Sequence, residues 1–144
     1  MEGTSTLIMN NNTEMPVTEM NTITFKYGLP GFEALNNFRV DEVGAFPPFQ
    51  MLYSLDEEKF SLLILKLSVL NIENELELLL SELKAKGIKI EENDIFLVLK
   101  LDRKNKIFTA NIKAPLIISK DNNQGTQLIL ENPDLPVDFI LSKV

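Results

Sequence analysis

The chain has 144 residues, 44% of them hydrophobic and 24% charged, with 14 basic against 21 acidic side chains and a formal net charge of −7. That length suits one domain with a single substantial core, and the balance is ordinary for a soluble protein. The complete lack of cysteine and histidine removes disulfide frameworks, thiol nucleophiles, serine–histidine triads, zincins and haem ligation, and the acidic surplus disfavours direct nucleic-acid binding, which needs a basic footprint.

Residues 1–20 are polar, rich in Asn, Thr and Glu, and without sustained periodicity. They read as a disordered or loosely attached tail, leaving 21–144 as the folded domain. Thr22 to Tyr27 alternates β-branched and aromatic residues, the pattern of a half-buried strand. Gly28-Leu29-Pro30-Gly31 stops it: proline presets one φ and the next glycine accepts positive φ, as a type II turn requires. Phe38 to Val43 and Phe49 to Leu55 are the next strands, with Pro47-Pro48 forcing extended backbone between them. Asp56-Glu57-Glu58-Lys59 is a charged turn, and Phe60 to Leu67 reads as a strand covered on both faces. The longest apolar run, Phe60 to Leu70, is interrupted by Lys66 and is too short to span a bilayer. No secretory pattern opens the chain, so a cytoplasmic protein without membrane contact is expected.

From Asn71 to Lys86 the period changes to that of a helix. Ile72, Leu76, Leu79, Leu80 and Leu83 share one stripe, Asn71 can cap the start, and Gly87 stands at the left-handed position after the end. Leu78 falls off that stripe, between Glu75 and Glu82, and is expected on the outward face. Strands return at Ile95 to Leu101 and Lys106 to Ile112, joined by Asp102-Arg103-Lys104-Asn105, and at Pro115 to Ser119 and Thr126 to Leu130, joined by Lys120 to Gly125. Proline at 115 cannot donate to a ladder, so the chain must bend or break there, and Ala114 leaves room for close backbone approach. Val137 to Leu141 reads as a last short strand or helical turn. About seven short strands and one amphipathic helix make a mostly β protein, a small antiparallel β-barrel-like domain.

No motif carries recognisable chemistry. Gly28-x-x-Gly31 matches the clamp loop of KH domains only by letter, since it follows a strand and leads to Glu33 rather than to basic residues. Asp121 to Gly125 lacks the glycine position and the bidentate glutamate of a calcium loop. No P-loop or dinucleotide fingerprint occurs. The carboxylate groups at Asp56, Glu57, Glu58 and at Glu91, Glu92, Asp94 read first as solvated turns, and second as a face for a basic partner. An apolar residue ringed by acids, as Leu78 is near Glu82, would suit a basic amphipathic segment.

In order and spacing, the strand into Gly28-Leu29-Pro30-Gly31-Phe32-Glu33, the Pro48-Phe49 lead into Leu52 to Asp56, the strand Phe60 to Leu65, the segment Thr109 to Ile118 and Gln127 to Leu130 resemble the flagellar assembly factor FliW family. The likeness runs from Ile23 to Leu130. It implies a β-barrel-like cytoplasmic protein without enzymatic activity or cofactor, binding flagellin and the RNA-binding translational repressor CsrA by partner switching. The chain departs from the family pattern at Lys66 to Asn71, where neither the usual proline nor the acidic-aromatic stretch appears. Charge and exposure, rather than a family motif, nominate Asp56, Glu57, Glu58, Leu78 and Glu82 as partner contacts. The alternatives are a small carboxylate-dependent hydrolase, which needs an apolar cleft around two acids, and a barrel adaptor with changed partners.

Overall fold

The computed structural model describes residues 22–44, 48–70 and 74–141. The proposed tail, the cap at Asn71 and the stripe residue Ile72 lie outside them. The described residues form eight strands: β1 Thr22–Phe25, β2 Asn37–Glu42, β3 Phe49–Ser54, β4 Ser61–Lys66, β5 Asn93–Asp102, β6 Ile107–Ser119, β7 Gln124–Gln127 and β8 Phe139–Ile140. The helix α1, Asn74–Ala85, lies between β4 and β5. It is too short and polar to cross a membrane, as is every helix among the described residues.

Neighbouring strands from β1 to β6 pair in chain order, β6 pairs β7, and β7 returns to β1, so seven strands close a barrel while β8 adds to the side of β6. Every pairing is antiparallel except β1 with β7. Closure leaves the seven-stranded ring without an open edge, which removes the commonest route to unwanted strand pairing.

Side-chain alternation divides the buried residues into two clusters. Ile23, Phe25, Leu29, Phe38, Leu52, Ile64, Phe96, Leu116 and Ile118 form one. Phe25 and Phe38, both fully buried, meet edge to face with centroids 5.2 Å apart, each contributing on the order of 2–3 kcal/mol by burial. Gly125 of β7 belongs to this packing, since a Cβ there would lie 2.7 Å from the Phe25 ring. The second cluster places Leu65, Ile95, Leu97, Leu99, Ala110, Ile112 and Ile117 under Leu79 and Leu83 of α1 and under Leu130, Leu135 and Leu141 of the C-terminal segment. Ile64 and Leu65 are adjacent in sequence and belong to opposite clusters. β4 is therefore covered on both faces at this point, as its continuous apolar run predicts.

The punctuation residues act as expected. Phe32 N donates to Leu29 O at 2.7 Å across Pro30-Gly31, with Gly31 at φ 87°. Gly28, at φ 68°, could carry no side chain, because a Cβ would sit 2.5 Å from Glu33 Cα. Helix α1 ends in a Schellman motif: Gly87 N donates to Lys84 O at 3.0 Å and Ile88 N to Leu83 O at 2.9 Å, with Gly87 at φ 82°.

Two strand expectations are corrected. Residues 107–119 form one strand rather than two, because the irregularity at Pro115 is absorbed as a bulge. The register jumps from Phe96↔Leu116 to Val98↔Asn111, leaving 112–115 opposite Leu97 alone. Asn111 Oδ1 accepts from Lys113 N at 3.0 Å and Ala114 N at 3.1 Å, satisfying the backbone inside the bulge. The last barrel strand is Gln124–Gln127, not Thr126 to Leu130. Leu128 and Leu130 instead donate to Pro115 O and Lys113 O, at 3.1 and 2.8 Å, and so run along the bulge.

Candidate protein-interaction surfaces

The five nominated residues fall into two groups that contact different segments. Asp56, Glu57 and Glu58 lie exposed on the turn between β3 and β4. Buried Ser54 forms that turn, its Oγ accepting from Asp56 N at 3.1 Å and Glu57 N at 2.9 Å. The Asp56 carboxylate then accepts from Asn36 N (2.8 Å), Asn37 N (2.9 Å) and Asn37 Nδ2 (3.3 Å). These donors, the Asn37 backbone foremost, hold the Asp56 carboxyl below the usual carboxylate range. Glu57 Oε1 accepts from Lys59 N at 3.3 Å.

Leu78 and Glu82 lie on α1, and here the outward-face reading is corrected. Leu78 is half-buried and packs on the second hydrophobic cluster. Glu82 reaches back to the chain after β7, its carboxylate accepting from Glu131 N at 2.7 Å and Asn132 N at 3.1 Å. Residues four apart share one helix face, so the segment held by Glu82 lies along the face that carries Leu78.

The sequence reading missed three large apolar side chains beside the acidic turn: Tyr27, Phe32 and Leu55, which are 75%, 49% and 42% exposed. Asn36 connects their loops, its Nδ2 donating to Phe25 O at 2.9 Å and Lys26 O at 3.3 Å. Leu55 N donates to Asn37 O at 2.7 Å. Phe32 leans on Phe60 with centroids 4.6 Å apart. Glu33 Oε2 accepts from Gly31 N at 2.9 Å, and that bond keeps the Glu33 carboxyl below its ordinary range. The β1 alternation hides this group, because it assigns Tyr27 to the same face as Ile23 and Phe25. It buries Ile23 and Phe25, and the turn after Phe25 then throws Tyr27 outward.

The described part of the atypical segment, residues 66–70, borders a groove of about 370 Å³ between α1 and the barrel, with Leu67, Leu70, Leu76, Leu80 and Ile90 in its walls. Among the described residues its one carboxylate, Asp94, pairs with Lys66 at 3.2 Å. A hydrolase would need two acids enclosed together, one with a raised pKa. Among the described residues Asp94 is the only acid lining this groove, and Asp56, Glu57 and Glu58 stand on an open turn with the Asp56 value lowered.

Comparison with known proteins gives one consistent result. The family model described as FliW protein matches residues 6–141, extending the likeness well upstream of Ile23. A flagellar assembly factor FliW of Clostridium beijerinckii is 34% identical over 122 residues, covering 83% of this chain and 85% of its own. One from Clostridium kluyveri is 34% identical over 128 residues, covering 87% of each, and one from Caldanaerobacter subterraneus is 35% identical over 119 residues, covering 79% and 77%. The fold is similar to a crystal structure of the flagellar assembly factor FliW, with a TM-score of 0.66 and 19% identity, covering 88% of this chain and 89% of that one.

Proposed function

The chain belongs to the FliW family, and from that premise we propose that it is a flagellar assembly factor of the cytoplasm that works by binding proteins and catalyses no reaction. Its partners in this reading are newly made flagellin and the translational repressor CsrA. When flagellin is scarce or exported, the freed factor takes up CsrA and relieves repression of flagellin translation. Accumulating flagellin recaptures the factor and restores repression. The device needs only two competing affinities and no cofactor.

The observation that carries this reading is the family match over residues 6–141, nearly the whole chain. The formal charge of −7 also suits it: an RNA-binding protein presents a basic surface, and opposite charge speeds encounter. Among the nominated contacts, Asp56, Glu57 and Glu58 offer exposed acids. Leu78 is partly covered and Glu82 is committed to the Glu131–Asn132 backbone, so we assign these two a supporting place at the surface.

Calorimetric titration of the purified protein against flagellin and against CsrA tests the proposal. A saturable complex with each is expected. No heat and no complex with either partner at concentrations on the order of tens of micromolar, which correspond to roughly 6–7 kcal/mol of binding free energy, would contradict it and favour an adaptor with changed partners.

A further inference from the structure

Single exposed apolar residues are common and mean little. Tyr27, Phe32 and Leu55 differ because they stand on hydrogen-bonded loops at one end of the barrel. Their backbone is fixed before any partner arrives: Pro30-Gly31 sets the turn, Asn36 ties the β1 end to the β2 start, and Asp56 ties the β2 start to the β3–β4 turn. Large apolar side chains on a preorganised frame lose little entropy on binding, which is what makes an interface anchor effective.

The rim has a sign. Glu33 follows Phe32 and Asp56, Glu57 and Glu58 follow Leu55 on these joined loops, against Lys26, which lies 5.5 Å from the Tyr27 ring, and Lys59. Glu33 and Asp56 are charged at neutral pH, as carboxylates ordinarily are, and their hydrogen bonds lower the pKa of both further. The two grooves beside α1 mix Lys66, Lys120 and Asp94 in one and Lys84, Lys89, Glu77 and Glu91 in the other and so favour no particular charge.

We propose that this end of the barrel docks a segment of a partner protein that carries an exposed apolar side chain flanked by lysine or arginine. Tyr27, Phe32 and Leu55 supply the apolar contact, and the acidic rim orients the basic flanks. The proposal deepens the partner-binding reading and rests on it.

The test is binding of the full chain to flagellin and to CsrA, with Tyr27→Ser, Leu55→Ser, the double variant Glu57→Lys/Glu58→Lys, and Ile90→Ser as a remote exposed control. At least one partner is expected to bind Tyr27→Ser and Leu55→Ser about tenfold or more weakly, the usual scale for an anchor. Their melting temperatures should stay at the parent value, and Ile90→Ser should bind as the parent does. The charge reversal should weaken the same complex and flatten its salt dependence. If the parent binds but Tyr27→Ser and Leu55→Ser bind within about twofold of it, the docking site is refuted while partner binding stands. A parent that binds neither protein overturns both.

Discussion

Asp56 joins two loops through one carboxylate that accepts from both the Asn36 and Asn37 amides, at 2.8 and 2.9 Å. Exposed as it is, it does the work of a helix cap in a barrel: it satisfies backbone donors that no strand partner reaches. Asp56→Ala should cost about 1–2 kcal/mol in denaturant unfolding. The same hydrogen bonds lower the folded-state pKa relative to the unfolded value of about 3.9. The stabilisation is therefore full above about pH 4 and is lost as pH falls through the folded value. In an acid titration of stability the parent should lose this increment and Asp56→Ala should not, so the two curves converge at low pH. Gly28 and Gly125 show the steric side of the same scale. The Glu33 backbone closes on the first and the Phe25 ring on the second, so neither site has room for a methyl group.

At the scale of elements, α1 is held on two sides. Leu79 and Leu83, both fully buried, face the barrel, while Glu82 grips the chain at Glu131 and Asn132. That segment carries Leu130 and Leu135 into the core on either side of the gripped amides. Glu82→Ala should thus cost about 1–2 kcal/mol and speed hydrogen exchange at the Glu131 and Asn132 amides. Exchange at the β3 and β4 amides should quicken only as far as that loss of global stability requires, because those strands pair away from the gripped segment. The helix itself was legible in the sequence because its apolar period and its terminal glycine agree. Leu78 was misread because helical periodicity records the main buried stripe and cannot register a second neighbour arriving from fifty residues downstream. The break at Pro115 was legible as a bend, but whether it splits a strand or becomes a bulge depends on Asn111, whose side chain replaces the missing ladder bonds. Leu128 and Leu130 alternate like a strand but lie along that bulge instead, which composition cannot distinguish. The patch around Tyr27 stayed hidden for a related reason: the turn after Phe25 reverses the facing that strand alternation assigns.

For the whole molecule, ring closure and two hydrophobic clusters make a rigid scaffold whose ends and loops are free to differ. Strand alternation and turn residues were enough to indicate a mostly β barrel, because each strand is short and clearly bounded. The parallel β1–β7 closure was not legible, since it joins segments a hundred residues apart. A stable frame with exposed apolar and acidic loops suits the partner switching proposed for this protein. The most direct measurement of that claim is a mobility shift of flagellin messenger RNA bound to CsrA. Adding this protein should release the RNA, and adding flagellin afterwards should return CsrA to it. RNA that stays bound to CsrA at saturating concentrations of this protein would contradict the account.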